Sequence, residues 1–182
     1  MKFSIGDSVV HWNYGIGQVI QLEQRSVSDR NIQYYAVQIG DMTVWVPADD
    51  KLEVRLRHPT SEKIFKKMLT ILSDPSEPLP EVSPDRRRYI LELLKEGRVE
   101  TLCRAIRDLS ATQDVKPLND YDKSLLKHMQ ALLIGEWGLV LSITPASAER
   151  ELNDLLAISS THGKKLSAKK NLIAPVGRPH IG

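Results

Sequence analysis

Phe3-Ser4-Ile5-Gly6-Asp7-Ser8-Val9-Val10-His11-Trp12-Asn13-Tyr14-Gly15-Ile16-Gly17-Gln18-Val19, with its continuation to Thr43-Val44-Trp45-Val46-Pro47, decides how this chain is read. Val9, Val10, Val19, Ile20, Leu22, Tyr34, Tyr35, Val37, Ile39, Val44 and Val46 are residue types that suit a pleated, half-buried surface. Turn signals separate them. Asn13-Tyr14-Gly15 precedes a second glycine at Gly17, Ser28 to Asn31 is a polar break, and Gly40-Asp41 has glycine first, as a type II′ hairpin turn requires. The pattern predicts four or five short strands in a meander, closed most simply as a small curled barrel over residues 1–59.

Alternation along those strands predicts which way side chains point. Tyr35, Val37 and Ile39 share one face, and Met42, Val44 and Val46 share one face of the next strand; both sets are expected inward. Thr43 and Trp45 then point out, and Arg25 lies outward with Gln21 and Glu23. Lys51 to Arg57 alternates Leu52, Val54 and Leu56 against charged residues, which fits a closing strand. Gly15 and Gly17 read as a turn and a bulge, because no helix or Lys-Ser/Thr follows to make a phosphate-cradling loop. The outward phase of Trp45 favours an interface anchor over a core residue.

The period then changes. Ile64, Phe65, Met68, Leu69 and Leu72 form one apolar stripe of a helix that Thr60 or Ser61 caps. Asp74 to Glu81 carries Pro75, Pro78 and Pro80 and reads as an extended, stiff connection, so 60–82 is expected to join two halves. Ser83-Pro84-Asp85 signals a helix start, with Ser83 as cap. Tyr89, Ile90, Leu93 and Leu94 follow, and Gly97 ends the helix. Val99, Leu102, Cys103, Ile106 and Leu109 mark a second helix. Asn119 or Asp120 caps a long third helix bearing Leu125, Met129, Leu132, Leu133, Trp137 and Val140, and Leu152, Leu155 and Leu156 face inward from a fourth. Residues 83–159 are thus expected to be a compact helical bundle, and 160–182 a disordered basic tail. The fold class is β plus α in two domains: a small SH3/Tudor-like barrel, then a helical bundle.

Charge is unevenly placed. Residues 1–59 carry 6 basic and 7 acidic groups, residues 60–159 carry 14 and 16, and residues 160–182 carry 5 and 0. The folded part is near neutral, so nucleic acid cannot be held by overall charge. The single cysteine, Cys103, excludes an internal disulfide and sits at core spacing. The start of the chain lacks an apolar run of signal-peptide length, and no window approaches a membrane span, so a cytoplasmic protein is expected. His11, His58, His128, His162 and His180 show no i, i+4 pair and no cysteine partner. No nucleophile elbow, phosphate loop or dinucleotide fingerprint is found, so no enzyme activity, metal, cofactor or small-molecule substrate is expected. Glu136 lies among apolar residues and reads as a structural carboxylate bonded to an Arg or a helix terminus.

Arg86-Arg87-Arg88 is the sharp basic feature. On a helix these residues fan over roughly 200°, at a helix start already suited to anions. A solvated helix start paired with Asp85, Glu92 or Glu81 is the bland reading, and a phosphate contact the functional one.

Gly6-Asp7-Ser8-Val9-Val10, Gly15-Ile16-Gly17 and Thr43-Val44-Trp45-Val46-Pro47 together resemble the RNA-polymerase-interacting domain of the CarD/CdnL family, a module also found in the transcription-repair coupling factor. The likeness continues through Arg86-Arg87-Arg88-Tyr89 and Ile134-Gly135-Glu136-Trp137, which resemble the family's Arg-Arg-Tyr and Gly-Glu-Leu patterns. It implies that the barrel binds the β subunit of RNA polymerase through Arg25, Trp45 and Thr43. It also implies that the helical half contacts promoter DNA through Arg86, Arg87 and Arg88 and stabilises the open complex. Two departures stand out. Trp45 falls where many members carry an Arg, and Asp85 stands about where many carry a Trp that wedges into the minor groove. An aspartate cannot wedge, so the resemblance supports polymerase binding better than DNA insertion. An adaptor that binds polymerase without engaging DNA is the alternative.

Overall fold

A computed structural model describes residues 3–27 and 30–172. The Ser28-Asp29 part of the polar break and residues 173–182 of the expected tail lie outside the described residues.

Five strands form one antiparallel sheet: β1 (Ser8–His11), β2 (Gly15–Val27), β3 (Arg30–Ile39), β4 (Met42–Pro47) and β5 (Leu56–Arg57). Their order is β4-β3-β2-β1-β5, so consecutive strands pair and β5 returns to β1. The expected barrel is not formed: β4 and β5 are the two edges of an open sheet, with no ladder between them among the described residues. The cause lies in 51–57, expected as one strand. Leu52–Arg55 is instead a helical turn, α1, leaving β5 only two residues long. The Asp49 carboxylate accepts from Lys51 N at 3.0 Å and Arg55 Nη1 at 2.7 Å, and Leu52 N bonds Asp49 O. That Asx-type turn offers the backbone an alternative to the ladder. It leaves Leu52, in the turn, and Leu56, the first residue of β5, buried, while Val54 is exposed.

The β2–β3–β4 phase is largely as the alternation predicts. Tyr35, Val37, Ile39 and Val46 are buried beside Phe3, Val9, Val19, Leu52 and Leu56. Val44 is half-buried, and Met42, expected inward, is half exposed because it lies next to the β3–β4 turn at the sheet edge. Gly40 has φ +54° while Asp41 stays at negative φ, as a type II′ turn demands. The bulge lies between Val19 and Gln21 rather than at Gly17. Gly17 answers a different need: a Cβ there would come within 2.6 Å of Ile39 Cγ1, so only glycine lets β3 side chains cross it.

The helices are α2 (Glu62–Leu69), continued by a 3-10 turn over Thr70–Ser73, α3 (Ser83–Lys95), α4 (Val99–Val115), α5 (Asp120–Leu141) and α6 (Pro145–Leu172). Asn119 caps α5, its Oδ1 accepting from Asp122 N at 2.8 Å. Ser83 is not the cap of α3: it is the first helical residue, Val82 takes the cap position, and the Ser83 hydroxyl accepts from Asn119 Nδ2. Gly97 ends α3 at φ +67°. Helix α6 runs to Leu172, into the stretch expected to be tail.

Phe65, Leu69 and Leu72 share one core with Ile90, Cys103, Ile106, Leu109, Met129, Leu133, Trp137 and Leu152, so α2 belongs to the helical half rather than to a connection. Each such side chain contributes roughly 1.5–3 kcal/mol by leaving water. The proline-rich segment is fastened to this core. Glu77 N donates to Asp108 Oδ1, Ser159 donates to Asp74 O, and Arg86 Nη1 donates to Pro80 O and Glu81 O. Burial in the same core pushes the Cys103 thiol up to about 12, with the Glu136 carboxylate adding to the effect, so it is an inert core residue.

Candidate functional site

On the outward face of the sheet, strand register gathers a small set of groups. Glu23 and Arg25 lie two apart on β2, Tyr34 pairs with Glu23, and Trp45 of β4 pairs with Ala36 of β3. Arg25 Cζ sits 3.8 Å above the Trp45 ring centroid and 5.8 Å from that of Tyr34. The Glu23 carboxylate accepts from Arg25 Nε and Nη2, each at 3.2 Å. Arg25 therefore sits over the indole, held by an anion beside it, with about 40% of its side chain in water. A cation over a tryptophan face at a partly exposed site contributes about 0.5–2 kcal/mol. Trp45 is half-buried and Ala36, directly opposite it, is fully buried although it alternates onto the outward face. Thr43 is exposed, and its hydroxyl donates to Gln38 Oε1 at 2.9 Å. Thus Arg25 and Trp45 come together as one flat, partly wet platform on the edge of the sheet, with Thr43 one step along the same strand face. Strand phase already puts Glu23 on the face of Arg25, whereas Tyr34 was missed, since its pairing with Glu23 across β2 and β3 is visible only once register is known.

The helical half divides the arginine run three ways. Arg86 is buried: Nε donates to Asp122 Oδ2 at 3.0 Å, Nη2 to the same oxygen, and Nη1 to the Pro80 and Glu81 carbonyls at 2.9 Å. It is 4% exposed, so the expected phosphate contact from Arg86 is corrected: the guanidinium is consumed inside the protein. Arg87 is exposed and stacks on Tyr121, its Cζ 3.3 Å from the ring centroid, above a groove formed by Ser83, Pro84 and Asn119. Arg88 is exposed and pairs with Asp85 one turn earlier. Around them Val82, Tyr89 and Tyr121 present apolar surface to solvent.

Between the two halves lies a third cluster. Arg57 of β5 forms a forked pair with Glu136 of α5, Nη1–Oε1 and Nη2–Oε2 both 2.7 Å. Glu136 is the structural carboxylate its surroundings predict. His11 is buried alongside, its Nδ1 accepting from the Asn13 and Tyr14 amides. Burial, with the Arg55 charge second, lowers its pKa to about 4, so it is neutral at pH 7. Among the described residues no group of three or more His, Cys, Asp or Glu side chains could hold a metal. Among them, too, no single helix is long and apolar enough to cross a membrane.

Residues 3–58, which carry the Arg25–Trp45 platform, match the CarD-like/TRCF RID domain, and residues 67–153, which carry the arginine run, match the C-terminal domain of CarD. The chain belongs to the CarD family. As a member it is a transcription factor of the type that interacts with RNA polymerase. The Bacillus subtilis (strain 168) protein YdeB, described provisionally as a transcription factor, is 27% identical over 146 residues, covering 78% of this chain and 94% of YdeB. The platform lies in the CarD-like RID domain, and the polar junction spans both matched domains.

Proposed function

We propose that the outward face of the sheet around Arg25, Trp45 and Thr43 binds the β subunit of bacterial RNA polymerase in the cytoplasm. Arg87 and Arg88 then touch promoter DNA, and the two contacts together modulate the lifetime of the open complex. The observation that carries the reading is the Arg25–Trp45 stack on the outward face of the matched RID domain. A half-buried Trp with a pre-placed Arg is the kind of anchor on which interface energy concentrates. β4 is also a sheet edge, so its free backbone groups can pair with an extended segment of the partner.

Arg87 supports the DNA contact: Tyr121 holds its guanidinium in place at low entropic cost for a phosphate. The charge supply is small. With Arg86 consumed internally, only Arg87 and the surface-paired Arg88 are left to meet DNA, so about two phosphates are neutralised, giving a salt slope near −2 on B-DNA. The same two observations favour the second reading, an adaptor that binds polymerase without engaging DNA.

Two measurements separate these readings. Pull-down with purified β-subunit lobe tests the platform, and competitor-challenged open-complex lifetime on one promoter at fixed salt tests the DNA contact. The expected result is retention on the lobe, and a longer lifetime that Arg87→Ala shortens. Retention with an unchanged lifetime and no footprint on promoter DNA selects the adaptor. No retention refutes both.

A further inference from the structure

We infer that the Arg57–Glu136 pair is the positioning element that holds the sheet and the helices as one rigid arm, fixing the span between the Arg25–Trp45 platform and Arg87–Arg88. The inference about the arm stands on the junction's geometry; its consequence for transcription rests on the function proposed above.

Arg57 and Glu136 are 79 residues apart and sit on different halves. Glu136 is 1% exposed, yet both carboxylate oxygens are matched. Oε1 accepts from Arg57 Nη1 at 2.7 Å and from Thr60 N at 2.9 Å, and Oε2 accepts from Arg57 Nη2 at 2.7 Å. The rest of the guanidinium is used as well: Nε donates to Gly97 O at 2.6 Å, in the turn between α3 and α4. One arginine of the sheet thus grips two separate helical elements.

The apolar contacts nearby are close but not directional. Gly15 faces Leu132 Cδ2, where a Cβ would stand 3.2 Å away, Gly135 faces Ile16, and Trp12 lies on the helical core. Smooth contacts of this kind tolerate sliding. The forked pair does not, because its hydrogen bonds demand both distance and angle, and a slip of a few ångströms leaves a buried carboxylate uncompensated. The junction also has little space for rearrangement: its cavity is about 20 Å³. A Cβ at Gly97 would meet Val54 O at 2.9 Å, so the α3–α4 turn abuts the backbone of α1 directly.

The test is double electron–electron resonance on the full chain with nitroxides at Asp41→Cys and Glu149→Cys, both exposed, with buried Cys103 left unlabelled. The parent is expected to give one narrow distance distribution. Glu136→Gln, which keeps the shape and removes the charge, is expected to broaden it at least twofold or to add a second distance. Arg57→Lys, which keeps the charge and removes the fork, is expected to do the same, and serves alone if Glu136→Gln does not fold by circular dichroism. A broad parent distribution overturns the inference, and so does a folded variant as narrow as the parent with the same mean. In transcription, Glu136→Gln is expected to bind the β-subunit lobe within twofold of the parent while losing the lifetime effect. A broadened distance with an undiminished lifetime effect would remove the positioning role. Failure of the parent to bind the lobe would refute the proposed function and leave the distance result standing.

Discussion

Arg86→Ala should unfold the protein more readily rather than merely weaken DNA binding. The side chain is 4% exposed and donates to Asp122 twice and to the Pro80 and Glu81 carbonyls once each. Its loss leaves Asp122, fully buried, with only Asn119 among the described residues near the same oxygen, at 3.2 Å. Removing one partner of a buried pair costs about 3–5 kcal/mol, because the other charge stays uncompensated. For a chain of this size each kcal/mol moves the thermal midpoint by about 2–4 °C, so a fall of roughly 6–20 °C is expected. The proline-rich segment should loosen at the same time, since two of its carbonyls lose their donor. Arg88→Ala is the control: its side chain is 74% exposed, and its pair with Asp85 is a surface one, worth about 0–1 kcal/mol. Thermal and urea melts of both variants, at one pH and salt, decide the matter. If Arg86→Ala melts within 2 °C of the parent, on the order of 1 kcal/mol or less, the burial argument is wrong. Weaker DNA affinity in that same variant would make Arg86 the phosphate contact its sequence position implies.

Trp45→Ala and Arg25→Glu should each weaken binding to the β-subunit lobe, Trp45→Ala by about 2 kcal/mol or thirtyfold in a titration, with a nearly unchanged melt; a collapsed fold in Trp45→Ala would make the indole a core residue. Stability should fall as pH drops from about 6.5 towards 4, because unfolded His11 binds a proton throughout that window and folded His11 does not. The loss should be on the order of 1–2 kcal/mol after allowing for solvent near the ring, and His11→Asn, whose oxygen can accept the same amides, should flatten it in pH-dependent urea melts. Gly97→Ala should cost about 1–3 kcal/mol in the same melts, from the positive φ and the approach to Val54 O. Asp85→Trp should lengthen the open-complex lifetime, since an apolar wedge can unstack a base step where an aspartate cannot; no change would point to Val82 or Tyr89, both exposed, or to a helical half that does not insert.

Local signals were legible and long-range ones were not. The period-2 pattern of Tyr35, Val37 and Ile39, the cap at Asn119 and the stop at Gly97 are each written in neighbouring residues, and the structure carries them all. The stretch 52–56 is ambiguous by nature: Leu52, Val54 and Leu56 alternate like a strand, while Leu52 and Leu56 are also one helical turn apart. Asp49 tips the balance towards the helix, and the sheet lacks the expected closing strand as a result. The arginine run shows the larger gap. Three identical side chains in a row have three fates, and what separates them is Asp122, thirty-six residues on, and Tyr121 beside it. The Arg25–Trp45 contact was only half visible. Both residues could be placed outward by phase, but only the β2–β3–β4 register brings them over one another.

The way Pro75, Pro78 and Pro80 are laid down bears on where this protein can be cut in two. A proline-rich run between a sheet and a bundle looks like the natural place to divide the gene. Here it is stitched to α4, α6 and Arg86, and the helix before it supplies Phe65, Leu69 and Leu72 to the bundle. A fragment beginning at residue 83 would lack three large apolar side chains and open a hole in its own core, so it should be recovered as an aggregate. The seam that leaves both apolar cores whole lies earlier, between His58 and Ser61, where the sheet has ended and α2 has not begun, and a cut there gives up the Arg57–Glu136 fork. Shuffling of this module between proteins would have to follow that seam, with the helix and its proline strap travelling with the bundle.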